Sequence, residues 1–134
     1  MKTILPIFLS LLSLSFGELQ LEGYSPVAYF TEGKAVKGSE NISSEYKGHT
    51  YYFAKEESKE LFDKNPTQYL PAYGGYCAYG VAKGKKVGVD PKKFTVVGGK
   101  LYLNYNGWIK RKFDKDPGKY ITTANENWPE VAKQ

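Results

Sequence analysis

The chain contains one cysteine, Cys77, and one histidine, His49, in 134 residues. A single cysteine excludes an intramolecular disulfide, so the fold must be held by packing. Together the two residues cannot supply the four nitrogen or sulfur ligands of a closed zinc site within one copy of the chain. One histidine and no serine elbow leave neither a nucleophilic triad nor a histidine acid–base pair. With no complete catalytic constellation, an enzyme is the least supported class. The glycine signatures of phosphate and dinucleotide sites are also missing, and Gly74-Gly75 reads as a turn. After residue 17 no apolar run approaches the ~20 residues that a membrane-spanning helix needs.

The chain is rich in tyrosine, at 12 residues. A tyrosine ring buries apolar area while its hydroxyl keeps one polar contact, which suits a small core near its surface or an aromatic binding face. Hydrophobic content of 41% and charged content of 25% argue for one globular domain and against disorder.

The first seventeen residues differ from the rest. Lys2 precedes an apolar stretch from Ile4 to Leu14, and Ser15-Phe16-Gly17 puts small residues at the −3 and −1 positions of a cleavage site. This tripartite pattern predicts a signal peptide over residues 1–17, a mature domain over 18–134, and export to the periplasm or beyond the cell. Charge is also uneven. Residues 83–119 hold 11 bases and 3 acids, net +8, whereas residues 18–82 hold 6 bases and 9 acids, net −3. The basic C-terminal half can meet an anionic surface. For an exported protein, nucleic acid is not the expected partner.

The strongest internal signal is a repeat. Residues 46–70 and 97–121 align without a gap at an offset of 51, with eight of 25 positions identical. The identities include Gly48/Gly99, Tyr51/Tyr102, Phe62/Phe113, Asp63/Asp114, Pro66/Pro117 and Tyr69/Tyr120. Lys47-Gly48 and Gly98-Gly99 read as tight hairpin turns. Helices are expected over 56–64 and 107–115, each stopped by Asn65-Pro66 or Asp116-Pro117 because a residue before proline avoids the α region. In the second helix Trp108, Ile109 and Phe113 form the expected apolar edge. The prediction is an α+β fold: a single small domain of two ββα units related by a pseudo-twofold axis, with copies over about 23–73 and 74–124.

Four segments then carry a resemblance: Gly-Tyr-Ser-Pro-Val-Ala-Tyr-Phe at 23–30, Tyr-Lys-Gly-His-Thr-Tyr-Tyr-Phe at 46–53, Phe-Asp-Lys-Asn-Pro-Thr-Gln-Tyr-Leu at 62–70 and Gly-Gly-Tyr-Cys-Ala-Tyr-Gly at 74–80. These resemble the exported YHS-domain proteins. The resemblance implies a module associated with heavy-metal handling, copper or zinc being the expected ions. Metal-handling relatives bear three thiols. In the first copy the latter two positions are Ala54 and Ser58, and the first falls near Pro26 or Val27. In the second copy Cys77, aligned with Pro26, matches the first thiol, and the other two positions are Tyr105 and Ile109. Ser25 stands where close relatives usually carry aspartate.

Two functional classes therefore remain open. One is a metal-associated binding module centred on Cys77, a thiolate being a soft ligand. The other is a metal-free interaction or small-ligand module using Tyr69, Tyr73, Tyr76 and Tyr79. Cys77 itself reads as a small buried hydrophobe, a metal ligand or a reactive thiol. It is expected at the junction of the two copies, with Tyr76 and Tyr79 walling it from water. If it is only core, a serine there should cost roughly 1–3 kcal/mol for a hydroxyl buried without a partner. His49, beside a turn, reads as a solvated residue.

Overall fold

The computed structural model describes residues 17–134. The expected signal peptide, apart from Gly17, lies outside the described residues. The fold is a mixed α+β single domain. The chain enters through β1 (Glu18–Leu19), which runs parallel to β3 (His49–Phe53) with Glu18 opposite His49. After a short 3-10 turn over Leu21–Gly23 comes the one-turn helix α1 (Ala28–Thr31), then β2 (Ser39–Tyr46), which pairs antiparallel with β3. Helices α2 (Glu56–Lys64) and α3 (Pro66–Tyr69) complete the first unit. A second 3-10 turn over Ala72–Gly75 opens the next unit: α4 (Ala78–Ala82), β4 (Asp90–Val97), β5 (Lys100–Asn104), α5 (Gly107–Lys115) and α6 (Pro117–Val131).

Bounds and registers recur between the units at the 51-residue spacing. Ser39 pairs with Phe53 and, after a bulge, Ser43 with Tyr52; Asp90 pairs with Asn104 and, after a bulge, Phe94 with Leu103. In each hairpin turn both central residues take positive φ, 49° and 80° at Lys47-Gly48 and 57° and 75° at Gly98-Gly99. Such turns match strand twist, and glycine adopts them without Cβ strain. Asn65 and Asp116, each before a proline, sit at φ −154°, ψ 71° and φ −155°, ψ 71°. This is non-helical backbone, and it separates the paired helices in both units. Ser44 donates to Asp63 and Thr95 to Asp114, both at 2.6 Å, while Lys59 and Lys110 hold the same two carboxylates. Asp63 and Asp114 therefore tie helix to hairpin.

In the stretch ahead of the hairpins the correspondence shifts by one residue. Leu21, Glu22 and Gly23 carry φ of 58°, 50° and 86°; Tyr73, Gly74 and Gly75 carry 59°, 61° and 86°. Ser25 N–H donates to Val36 O at 2.8 Å and Cys77 N–H to Val87 O at 2.9 Å. The spacing is therefore 52 before α1 and α4 and 51 from Val36 and Val87 onward. Cys77 corresponds to Ser25 and not to Pro26 as the ungapped alignment had it, because the second unit has one residue fewer in the intervening loop.

Three apolar clusters fill the interior. One belongs to the first unit (Val27, Tyr51, Phe53, Phe62, Tyr69). One belongs to the second unit (Tyr73, Ala78, Val81, Tyr102, Phe113), with Ala124 and Val131 supplied by α6. The third joins them: Tyr29 from α1 packs with Leu101 and Leu103 of β5. Its hydroxyl donates to Pro91 O at 2.8 Å, and its ring lies 4.9 Å from that of Phe94. Burial raises the Tyr29 phenol well above its ordinary value, since ionising it would leave a charge inside this joint. The expected apolar edge of α5 is only partly used: Phe113 is fully buried, whereas Trp108 is 61% exposed.

Candidate functional site

Cys77 lies in the residue position that starts α4, and its thiol acts as the cap of that helix. Its Sγ accepts from Gly80 N–H at 3.4 Å, as Ser25 Oγ accepts from Ala28 N–H at 3.4 Å. The thiol donates in turn to Asn104 Oδ1 at 3.5 Å, and the same oxygen accepts from Tyr79 N–H at 3.1 Å. Cys77 is 1% exposed and Asn104 is fully buried. The Asn104 amide nitrogen has no hydrogen-bond partner among the described residues. Burial pushes the thiol upward from its ordinary value, partly offset by backbone N–H groups of Gly80, Tyr105 and Tyr79. A buried, protonated cap is a poor nucleophile. These partners all belong to the second unit, so the expected seat at the junction of the copies is not what the fold provides: α4 docks onto β5 of its own unit.

The three second-unit positions that the ungapped alignment matches to thiols do converge. Cys77, Tyr105 and Ile109 line one hollow of about 230 Å³, with Tyr79, Lys83, Lys85 and Val87. The donor set does not fit a soft metal, because Cys77 is the single thiol, imidazole or carboxylate among these residues. No group of three or more such side chains lies close enough to hold a metal among the described residues. Lys83 and Lys85 reach the hollow, yet burial outweighs any acidifying effect on the thiol.

The four tyrosines singled out in the sequence do not form one surface. Tyr69 is buried in the first unit's core, its ring 5.5 Å edge-on to Phe30. Tyr73 is buried in the second, donating to Asn125 Oδ1 at 2.8 Å, and burial pushes its phenol up to about 12. Successive residues in this turn-rich stretch point in different directions, so Tyr76 and Tyr79 part company. Tyr79 lines the hollow beside Cys77, whereas Tyr76 lines a larger cleft and packs at 6.4 Å from Trp128.

That cleft, about 690 Å³, lies between the two units. Its walls are Tyr46, Tyr51 and Leu70 from the first unit and Pro71, Tyr76, Val89 and Pro91 leading into and within the second. The N-terminal segment Glu18–Glu22 and the turn residue Lys47 give it a polar rim. His49, an exposed turn residue as expected, belongs to this rim with Nδ1 3.0 Å from Gln20 Nε2. Gly74 and Gly75 at positive φ turn the chain sharply there, so that Pro71 and Tyr76 reach the same cavity. Sequence reasoning missed the cleft because its residues come from five separated segments. It also missed Asn104, although an asparagine at the repeat position of Phe53 is a legible signal of a polar contact.

Residues 27–73 match the family model of the YHS domain. Over this stretch the chain is similar to YHS domains. The match runs from just before α1 through α3 and into the turn at Tyr73, so it covers the first unit and stops short of Cys77. No curated protein and no solved structure matches the chain. In the first unit the positions to which the thiols of metal-handling relatives map hold no thiol: the first falls near Pro26 or Val27, and the other two are Ala54 and Ser58.

Proposed function

We propose that this protein is a metal-free binding module that holds a small amphipathic ligand in the cleft between its two ββα units. The observation that supports this is the cleft itself. Its volume of about 690 Å³ falls in the few-hundred to thousand Å³ range of ligand sites, and tyrosine and aliphatic walls meet a sparse polar rim. Three phenol rings, Tyr46, Tyr51 and Tyr76, can pack on a flat ligand, while Gln20, Lys47 and His49 offer hydrogen bonds at its edge. In this reading the protein is exported, as the tripartite N-terminus supports, and the thiol of Cys77 serves the fold. The competing reading, copper or zinc held through Cys77, has the family's association behind it but lacks further soft ligands.

A fragment library screened by amide chemical shifts tests the proposal. Binding should move Lys47, His49, Tyr76 and Val89 together, quench Trp128 through Tyr76, and weaken in Tyr76→Ala. Hits confined to other surfaces, or binding indifferent to Tyr76→Ala, would overturn it.

A further inference from the structure

We infer that the face of α4, α5 and α6 around the Cys77 hollow is a docking surface for an anionic phospholipid bilayer. The observation is an unbroken chain of alternating cations and rings. Arg111 lies 5.6 Å and Lys112 5.7 Å from the ring centre of Trp108. Lys112 also lies 5.9 Å from Tyr79, which Lys83 approaches at 5.3 Å. Lys83 then reaches Tyr120 at 5.9 Å, and Lys119 closes on the same ring at 5.6 Å. Tyr105, 55% exposed, and Ile109 join this surface at the hollow.

The fold does not require such a surface, because the first unit builds the same helices without it. At the repeat positions of Trp108, Arg111, Lys112 and Lys119 the first unit carries Glu57, Glu60, Leu61 and Gln68. The nearby acids of the second unit are engaged elsewhere: Asp114 is held by Thr95 and Lys110, and Asp116 caps α6 through Lys119 N–H. Among the described residues none of Lys83, Arg111, Lys112 and Lys119 forms an ion pair.

A bilayer suits this chemistry better than a single-stranded nucleic acid does. Base stacking needs open ring faces, and here cations already lie over the rings. Cationic heads on apolar stems, with tryptophan and tyrosine between them, match the charged headgroup level and the aromatic belt beneath it. Trp108, unsupported by any core contact that would explain its burial-prone ring on the surface, gains apolar surroundings on docking.

Co-sedimentation of the whole protein with vesicles of equimolar phosphatidylglycerol and phosphatidylcholine tests this directly. Binding is expected to the mixed vesicles and not to pure phosphatidylcholine, to weaken with added salt, and to shift Trp108 emission to the blue. Each cation removed should weaken binding about five-fold, so Arg111→Gln with Lys112→Gln falls far below Lys92→Gln with Lys100→Gln, an equal charge change off this face. Trp108→Ala should weaken binding without altering the thermal midpoint, its side chain being exposed. Equal losses from the two double variants, binding to neutral vesicles, or a single-stranded oligonucleotide that outcompetes the vesicles would each overturn the assignment.

Discussion

Between the first ββα unit and the second, the hairpin and helix boundaries recur while the chemistry changes. Both have the bulged hairpin, the positive-φ turn, the hydroxyl-to-aspartate tie and the proline-started second helix. They are completed differently: β1 extends the first hairpin to three strands, whereas α6 runs on to Val131 and roofs the second core. They also differ at the start of their first helix. Ser25 Oγ accepts from Ala28 N–H and Cys77 Sγ from Gly80 N–H with the same i to i+3 geometry, so that position is a structural one in both units, whatever atom occupies it. The lesson is that one backbone position can take a hydroxyl in one unit and a thiol in the other and use either to accept from the N–H three residues on.

The largest test of the comparison lies in the cores. Phe62 and Phe113 are repeat mates, 1% and 0% exposed. Phe62→Ala and Phe113→Ala should each cost about 3–5 kcal/mol in denaturant unfolding. Because Tyr29 joins the cores, both variants should show a single transition; a variant that melts only its own unit would break the account of a shared core. Next comes the pair Phe53 and Asn104. Asn104→Ala strands the part-buried Tyr79 N–H and the buried Cys77 thiol and should cost about 1–3 kcal/mol.

A smaller effect is expected at the caps. Cys77→Ala and Ser25→Ala should each lose about 1 kcal/mol. Cys77→Ser should lose less, because Gly80 N–H and Asn104 Oδ1 stand ready for a hydroxyl; the sequence-based expectation of an unpartnered serine does not hold. The cysteine and tyrosine shifts also fix a pH trend. A thiol and phenols whose folded values are raised keep their protons longer in the folded state, so their contribution is full below the unfolded values near 9.0 and 10.0 and is lost as pH climbs above them. Unfolding midpoints measured from neutral to alkaline pH should therefore fall, and Cys77→Ser should flatten the part of the fall that begins first. The smallest effect is at the turns. Lys47→Gly gives the first hairpin the glycine that the second has as Gly98, and should stabilise by a few tenths of a kcal/mol once backbone entropy is offset.

Much of the fold was legible because its signals are local. Proline at 66 and 117, glycine at 48 and 99, and aromatic-rich strands specify turns and helix ends from neighbouring residues alone. The site was less legible. The one-residue shift that pairs Cys77 with Ser25 has a sequence signal, Gly23-Tyr24 against Gly75-Tyr76 at an offset of 52, which an ungapped alignment at 51 passes over. Tyr69 and Tyr73 were grouped with Tyr76 and Tyr79 by proximity in sequence, but each of the first two donates its ring to a different core. The cleft depends on how the units meet, and that is decided by Tyr29 crossing to Pro91 and Phe94, a contact spanning more than sixty residues.

The claim that Cys77 is a cap and that binding belongs to the cleft is tested most directly by metal retention. Wild-type protein and Cys77→Ser would be incubated with zinc or copper(I), desalted and analysed for bound metal alongside their unfolding midpoints. The account predicts no stoichiometric metal on either protein and closely similar midpoints. One equivalent held by the wild type and lost from Cys77→Ser would contradict it.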